Sequence, residues 1–342
     1  MVATARVGKV WDSRRAILLA IFIGTLFFLF QRFIGSYFTD PLILSLVAGI
    51  AVRALTGSRW QLQESFLPVY RLFIPVGIFF YAVKNLNFSR NLSLSPSLLG
   101  LLVLVMLVYF VTIFLLGAWM GQKKTITYLT AAGSAICGAS AIAITSPALD
   151  AEPDDVSISL LAVASTSLVA LFVIFPFLGT LFDLSGTTYA LASGSVLQLT
   201  GFVKAAVGHM PYLSGAIPAS ELAALALSVK AGRYLGLLVA IPLLSSLARK
   251  RMSLPWTLWV FVGAGLLGTR LSMAFPTFYQ ETLLPVVQPI YLLSWSIAMA
   301  AIGLSADIRE LHSDHGVKAL IQAFCGCCAA VATFFAGLFV IY

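Results

Sequence analysis

Long apolar runs separated by short polar stretches are the dominant pattern of this 342-residue chain. A helix needs roughly 17–25 apolar residues to cross the bilayer core, and most of these runs have about that length. The pattern therefore predicts eleven membrane helices. They cover residues 16–33, 41–55, 66–83, 97–120, 125–149, 156–182, 189–207, 220–247, 255–273, 283–306 and 317–342.

Composition agrees with a polytopic helical membrane protein. The chain is 60% hydrophobic and 10% charged, whereas a soluble domain carries roughly 25% charged residues. The net charge of +8 comes mainly from Lys and Arg in short loops, so the lipid bilayer is the expected partner and nucleic acid is not. We expect one membrane transporter domain over residues 1–342.

The loop charges predict an orientation. Cytoplasmic loops are enriched in Lys and Arg. With eleven spans, one side collects most of the cations: Arg6, Lys9, Arg14, Arg15, Arg53, Arg59, Lys123, Lys124, Arg249, Lys250, Arg251, Arg309 and Lys318. This side is the cytoplasm of a bacterium, which places the N-terminus inside the inner membrane and the C-terminus outside. The same count puts Asp150, Glu152, Asp154 and Asp155 on the outer side.

A run of small residues, Ala132 to Ala141, lies inside an apolar segment. It includes Ser134, Gly138 and Ser140 where a membrane helix usually carries bulky side chains. A helix broken near Cys137-Gly138 is one interpretation, because non-helical backbone at membrane depth is tolerated where it lines a cavity or is buried in protein. A close helix crossing is the other, because small residues also let helices approach.

A second run of small residues suggests an internal repeat. If residues 1–37 form a tail and an extra helix, the remaining spans form two groups of five, over 38–185 and 186–342. An odd number of spans inverts the second group relative to the first. In this register the run from Ala300 to Ser305 matches the first run and predicts a second break near Ala301–Gly303. Matched broken helices are the best sequence indicator of a transport site.

Three motifs resemble the YeiH-like sulfate exporter family. They are Gly133-Ser134-Ala135-Ile136-Cys137-Gly138-Ala139-Ser140-Ala141-Ile142-Ala143, Val229-Lys230-Ala231-Gly232-Arg233-Tyr234-Leu235 and the segment from Ala298 to Asp307. The resemblance covers nearly the whole chain. It implies a place among the cation/proton antiporters and bile-acid-type anion symporters. The implied fold is all-α, like the bile-acid sodium symporters, with two inverted five-helix repeats and two crossed broken helices.

The chain departs from that family at one place. Where the family usually carries a His followed by an acidic residue, this chain has Leu197 and Gln198. A titratable pair is missing there, so the coupling ion, proton or sodium, stays open.

Charged residues inside spans are expensive and are functional candidates by default. Lys204, Lys230 and Arg233 fall inside predicted spans, and every carboxylate lies at a span edge or in a loop. Lys230 and Arg233 share a helix face because they are three residues apart. Cations without a mid-membrane carboxylate favour an anionic substrate. The alternative is that Lys230 and Arg233 pair with backbone carbonyls or with acidic residues at span edges and only hold helices together.

These observations predict a secondary transporter that exports a small anion, such as sulfate, sulfite, a sulfonate or an organic acid, by alternating access. The predicted substrate-binding residues are Ser134, Cys137, Gly138, Ala139, Ser140, Gly303, Ser305, Lys230 and Arg233. We expect no catalytic residue, cofactor or metal. An anion channel and an integral-membrane enzyme are the alternatives, the latter because residues 150–155 offer carboxylates for Mg²⁺. A homodimer is left open.

Overall fold

The computed structural model describes residues 2–34, 41–56, 66–86, 88, 95–208, 217–249, 256–305, 309 and 312–341, and within them the fold is all-helical. In chain order the α-helices are α1 (Val2–Ile34), α2 (Pro41–Thr56), α3 (Leu67–Asn85), α4 (Pro96–Trp119), α5 (Lys124–Ala132), α6 (Ala139–Thr145), α7 (Pro153–Val169), α8 (Phe175–Leu181), α9 (Gly186–Val196), α10 (Thr200–Gly208), α11 (Ala219–Arg233), α12 (Gly236–Arg249), α13 (Trp256–Ala274), α14 (Leu284–Ser305) and α15 (Asp314–Ile341).

Six helical segments of the described chain are long and apolar enough to cross a bilayer. They are 14–34, 96–119, 154–181, 219–248, 278–305 and 314–340, and shorter apolar helices lie between them. Large apolar side chains such as Leu107, Leu115 and Phe172 are exposed along these segments. Such surfaces suit contact with lipid, so the prediction of a multi-pass membrane protein is confirmed.

The chain forms two compact units that interleave in sequence. The first unit combines Met1–Asn85 with Trp259–Glu310, and the second combines Leu86–Leu258 with Leu311–Tyr342. These units do not coincide with the halves 38–185 and 186–342 of the predicted repeat. Each unit is described by itself below.

The first unit is built around α14, which packs against α1, α2 and α3. A Cβ atom added at Gly303 would lie 2.2 Å from the carbonyl oxygen of Leu46, and one added at Gly49 would lie 2.6 Å from that of Ala300. The two glycines therefore let α2 and α14 pack with their backbones in near contact. The predicted break near Ala301–Gly303 is wrong: α14 runs without interruption to Ser305, and its small residues serve a helix crossing.

In the second unit, the segment predicted as a span over 125–149 is a helical hairpin. Helix α5 and the π-helical turn Gly133–Cys137 that follows it form the first arm, which ends at Gly138. Helix α6 forms the second arm and runs back beside the first. The Nζ atom of Lys123 lies 2.6 Å from Oε2 of Glu152 and 2.9 Å from Oδ1 of Asp155, so both ends of the segment lie at the same level. The predicted separation of Lys123 from residues 150–155 on opposite sides is therefore wrong.

Packing explains why this segment folds back. A Cβ atom on Gly133 would lie 2.7 Å from Cδ1 of Ile142 and 3.3 Å from Cγ2 of Val163, so glycine is what lets the two arms and α7 pack together. The hydroxyl of Ser159 in α7 donates to the carbonyl of Ile126 in α5 at 3.3 Å. These contacts align α7 alongside α5, and we call residues 124–149 hairpin 1.

The segment predicted as a span over 189–207 is also broken, between α9 and α10. Helix α9 runs alongside α11, because a Cβ atom on Gly194 would lie 2.3 Å from the carbonyl oxygen of Ala226. Helix α10 packs along the same helix α11, so it turns back from the break at Leu197–Leu199. We call residues 186–208 hairpin 2. The 28-residue helical segment Asp154–Leu181 separates the two hairpins in sequence, so they start from opposite ends of that segment.

Candidate functional site

The tips of the two hairpins meet inside the second unit. Gly138 ends the turn of hairpin 1 with φ 70° and ψ −125°, a backbone conformation that residues other than glycine rarely adopt. A Cβ atom there would lie 2.5 Å from Cδ2 of Leu199 and 3.2 Å from the carbonyl oxygen of Gln198. Glycine is therefore required at this position both for the backbone turn and for the close approach of hairpin 2.

Arg233 joins the two tips through their backbones. Where a helix breaks, its last carbonyls lose their intrahelical partners. The guanidinium of Arg233 donates from Nη2 to the carbonyl of Ser134 at 2.7 Å, from Nε to Ala135 at 2.9 Å and from Nη1 to Leu197 at 2.9 Å. The ring of Tyr109 lies 5.8 Å from the same guanidinium. One side chain of α11 thus caps the first arms of both hairpins.

Lys230, one turn earlier in α11, donates its hydrogen bonds to hairpin 2. Its ammonium donates to the carbonyls of Leu197 at 2.5 Å and Gln198 at 2.8 Å. Lys230 and Arg233 are both fully buried. The alternative interpretation of these two residues, pairing with backbone carbonyls, matches the observed geometry.

No carboxylate within the described part of the chain forms a salt bridge with Lys230 or Arg233. Among the described residues, their positive charges face carbonyl dipoles and, for Arg233, the ring of Tyr109. An isolated charge in a low-dielectric interior is costly, so this region favours a negative partner.

The structure gathers most of the predicted site residues at these tips. Ser134, Cys137, Gly138, Ala139 and Ser140 form the turn of hairpin 1. The Ser140 hydroxyl lies 2.7 Å from the Cys137 sulfur and 3.3 Å from the Cys137 carbonyl oxygen.

The remaining predicted residues lie elsewhere or are already accounted for. Gly303 and Ser305 belong to the first unit, where the Ser305 hydroxyl donates to the carbonyl of Ile302 at 2.8 Å. Lys204 lies on α10 and is half-buried. The predicted pairing of Gly138 with Gly303 as matched breaks therefore gives way to a pairing of Gly138 with Leu197–Leu199.

Sequence reasoning missed the break at Leu197–Leu199, although a signal was present. The hairpin tips carry similar pentapeptides: Gly133-Ser134-Ala135-Ile136-Cys137 in hairpin 1 and Gly194-Ser195-Val196-Leu197-Gln198 in hairpin 2. In each, the glycine allows a close helix contact, and the first arm ends within the pentapeptide, at Cys137 in hairpin 1 and at Val196 in hairpin 2. An alignment of the chain on this pentapeptide would have found the second tip.

An ionic cluster fixes the base of hairpin 1. The hydrogen bond and charge of Lys123 lower the pKa of Glu152, and the hydrogen bond to Glu152 is the largest cause of the raised pKa of Lys123. Gln122 beside them donates to the carbonyl of His315 at 2.7 Å and contacts that ring at Nδ1. No group of three or more potential metal ligands occurs among the described residues.

Comparisons with known proteins give related membrane-protein sequences. The family model described as conserved hypothetical protein 698 matches residues 15–323. A UPF0324 membrane protein of Archaeoglobus fulgidus is 25% identical over 297 residues, covering 86% of this chain and 83% of that protein. UPF0324 membrane proteins of Bartonella henselae (29% over 328 residues; 92% and 89%) and Agrobacterium fabrum (29% over 303 residues; 85% and 82%) are also similar. No solved structure matches.

Proposed function

We propose that this chain, which belongs to the conserved hypothetical protein 698 family, is a secondary transporter for a small anion. The site would lie where hairpins 1 and 2 meet. The observation that carries the proposal is the pair of buried cations, Lys230 and Arg233, at the hairpin tips without a bound carboxylate among the described residues. A cation-selective site would need the opposite arrangement.

The orientation of the broken helices supports the same sign. A broken helix presents negative carbonyls at the end of its first arm and positive N–H groups at the start of its second. Lys230 and Arg233 occupy the carbonyl ends at Ser134, Ala135, Leu197 and Gln198. The carbonyls are thereby neutralised. The first turn of α10 keeps its N–H groups, which favour an anion.

We infer that both hairpins are re-entrant in the membrane. Nine crossing segments then remain: α1, α2, α3, α4, α7 with α8, α11 with α12, α13, α14 and α15. The basic loops that were predicted to be cytoplasmic stay on the cytoplasmic side. Each hairpin removes one membrane crossing, and the later basic loops come after both hairpins, where the two removals cancel. Residues 150–155 move to the cytoplasmic side beside Lys123, and the C-terminus stays outside.

Non-helical backbone at membrane depth must be buried in protein or line a water-filled cavity. Two hairpins that enter from opposite faces satisfy this requirement, because their tips bury each other at mid-depth. They would be an inverted pair, an arrangement suited to alternating access. The resemblance of residues 133–143 to the sulfate exporters points to a small oxyanion or sulfonate as cargo. The neutral pair Leu197-Gln198 argues against proton coupling at that place.

Transport by purified protein in liposomes tests the proposal. Uptake of sulfate, sulfite, a sulfonate and a carboxylate is compared with uptake of sodium and of a neutral solute, with and without the same anion inside. We expect saturable uptake of at least one oxyanion, stimulated by internal anion. Selective movement of a cation or a neutral solute would overturn the proposal, and uptake without saturation or stimulation would indicate a channel.

A further inference from the structure

We propose that the side-chain amide of Gln198 contacts the transported oxyanion directly, donating a hydrogen bond from Nε2, and that Ser167 positions this amide. The inference rests on the proposed function. It assigns the ligand contact to a neutral residue and gives Lys230 and Arg233 the task of holding the tips in place.

The hydrogen bonds of Gln198 leave one group open. The hydroxyl of Ser167 in α7 donates to Oε1 of Gln198 at 2.6 Å, and the backbone carbonyl of Gln198 accepts from Lys230. Nε2 is buried and has no nitrogen or oxygen hydrogen-bond partner among the described residues. With Ser167 bound at Oε1, the free group of the amide is Nε2, which is a donor.

An unpaired buried donor calls for an explanation, since leaving one unsatisfied is costly. The side chain of Gln198 also makes a hydrogen bond with the thiol of Cys327 in α15, but sulfur is a weak acceptor and one sulfur cannot satisfy both N–H groups of Nε2. Gln198 lies in the break itself, between the last turn of α9 and the first turn of α10. A ligand at the meeting tips is therefore within reach of Nε2.

Two further hydroxyls have the same property at matched positions. Ser134 and Ser195, the second residues of the two tip pentapeptides, are fully buried and their Oγ atoms make no hydrogen bond with described residues. Some helical hydroxyls of this chain bond to a carbonyl one turn back, as Thr333 does to Ala329 at 2.8 Å, whereas others, such as those of Ser45 and Thr166, also make no hydrogen bond with described residues. The unbonded hydroxyls of Ser134 and Ser195 matter here because they lie in the two hairpin tips.

The chemistry of these groups restricts the ligand. An amide N–H can only donate, so the ligand must present an acceptor atom. Serine hydroxyls supply two more donors, and the buried cations supply a positive field without direct contact. This combination fits the oxygens of a small tetrahedral oxyanion such as sulfate. It does not fit a metal cation, which would need lone pairs where Nε2 presents a hydrogen.

The test measures sulfate uptake into proteoliposomes for Gln198→Ala, Gln198→Met and Gln198→Glu. A hydrogen bond to a charged group contributes about 1.5–3 kcal/mol, so removing it should raise the KM for sulfate about 10- to 100-fold. Gln198→Met keeps the length of the side chain without its hydrogen bonds. Gln198→Glu should be the most impaired, because it replaces the donor with a negative charge.

Gln322→Ala is the matched control. Gln322 is also a buried glutamine of the second unit, but its Nε2 lies 3.5 Å from Thr127 Oγ1, near the base of hairpin 1. We expect its sulfate KM to stay within about twofold of that of the parent. For Ser167→Ala we expect a raised KM with little change in kcat, and partial recovery in Ser167→Thr, which keeps a hydroxyl donor.

The outcomes separate this inference from the proposed function. If the parent transports sulfate and the Gln198→Ala and Gln198→Met proteins show the parent KM, the inference is wrong and the transporter proposal stands. If neither variant yields folded protein while Gln322→Ala does, Gln198 is structural and the inference is also wrong. If the parent transports no oxyanion and sulfate does not raise its melting temperature, the proposed function fails first.

Discussion

The ammonium of Lys123 lies 2.6 Å from the carboxylate of Glu152, although 29 positions of mostly apolar chain separate them. A straight helix of that length would hold the two residues about 40 Å apart at 1.5 Å per residue. Their contact therefore requires the intervening segment to fold back on itself. A hairpin over residues 124–149 with its tip at Gly138 accounts for this contact.

Side-specific labelling tests the topology that follows. In Lys124→Cys, Asp154→Cys and Thr187→Cys, each new thiol is probed with a membrane-impermeant maleimide in right-side-out and inside-out vesicles. We expect residues 124 and 154 to label from the same face and residue 187 from the opposite one. The unsubstituted chain measures the background from its own cysteines. Labelling of residues 124 and 154 from opposite faces would mean that hairpin 1 crosses the membrane.

The ion pair of Lys123 with Glu152 at the base of hairpin 1 predicts the pH range over which this base stabilises the folded protein. Glu152 has a lowered pKa, so its stabilisation is present above the unfolded value near 4.3 and is lost as pH falls through the folded pKa. Lys123 has a raised pKa, so its stabilisation is present below about 10.4 and is lost as pH rises through the folded pKa.

We therefore expect Lys123→Met to lower the melting temperature in detergent at pH 7, chiefly because Asp155, 4% exposed, loses its partner. The difference from the parent should shrink as pH falls below the unfolded pKa of Glu152, near 4.3, and through its lower folded pKa, because the carboxylate of Glu152 then loses its charge in both proteins. Lys318→Met removes a surface i,i+4 pair with Asp314 and is the control, with an expected effect under about 1 kcal/mol. A Lys123→Met deficit that is the same at pH 7 and pH 3.5 would contradict the ionic explanation.

Arg233 should be required for folding more than for substrate contact. Arg233→Ala leaves the carbonyls of Ser134, Ala135 and Leu197 without this donor, and each buried orphan costs about 1–3 kcal/mol. We expect little monodisperse protein on size exclusion and an intermediate yield for Arg233→Lys, which keeps the charge but loses the planar fork. Arg270→Ala, at an exposed position of α13, should behave like the parent. If Arg233→Ala is well folded but does not transport, Arg233 contacts the substrate and is not chiefly required for folding.

Gly138 is a point where the backbone itself can be tested. Gly138→Ala places a methyl group at positive φ and 2.5 Å from Leu199, which should destabilise the protein by about 1–3 kcal/mol or more and impair transport. Gly100→Ala is the matched control, because a Cβ atom there meets nothing within 4 Å and alanine favours helix over glycine. Equal melting temperatures for the two variants would show that the strained turn at Gly138 is not maintained.

The local turn chemistry and the membrane character could be read from the chain itself. The apolar runs located the helices because a bilayer core selects for about 20 apolar residues, and the break beside Gly138 followed from small residues in such a run. Lys230 and Arg233 stood out because charges inside spans are rare. All of these are properties of a segment or of its immediate neighbours, and they need no knowledge of what packs against it.

Only the tertiary structure decided the role of the small residues in the two runs, 132–141 and 300–305. Gly133 and Gly303 carry the same local signal, yet Gly133 lies at a hairpin tip against Ile142 and Gly303 lies in an unbroken helix against Leu46. A glycine makes close approach possible in either case, and the neighbour that uses it comes from a distant part of the sequence. The same holds for Leu197, whose freed carbonyl is stabilised by side chains 33 and 36 positions away. A hairpin and a span have the same composition, so long-range contacts such as Lys123 with Glu152 were needed to tell them apart.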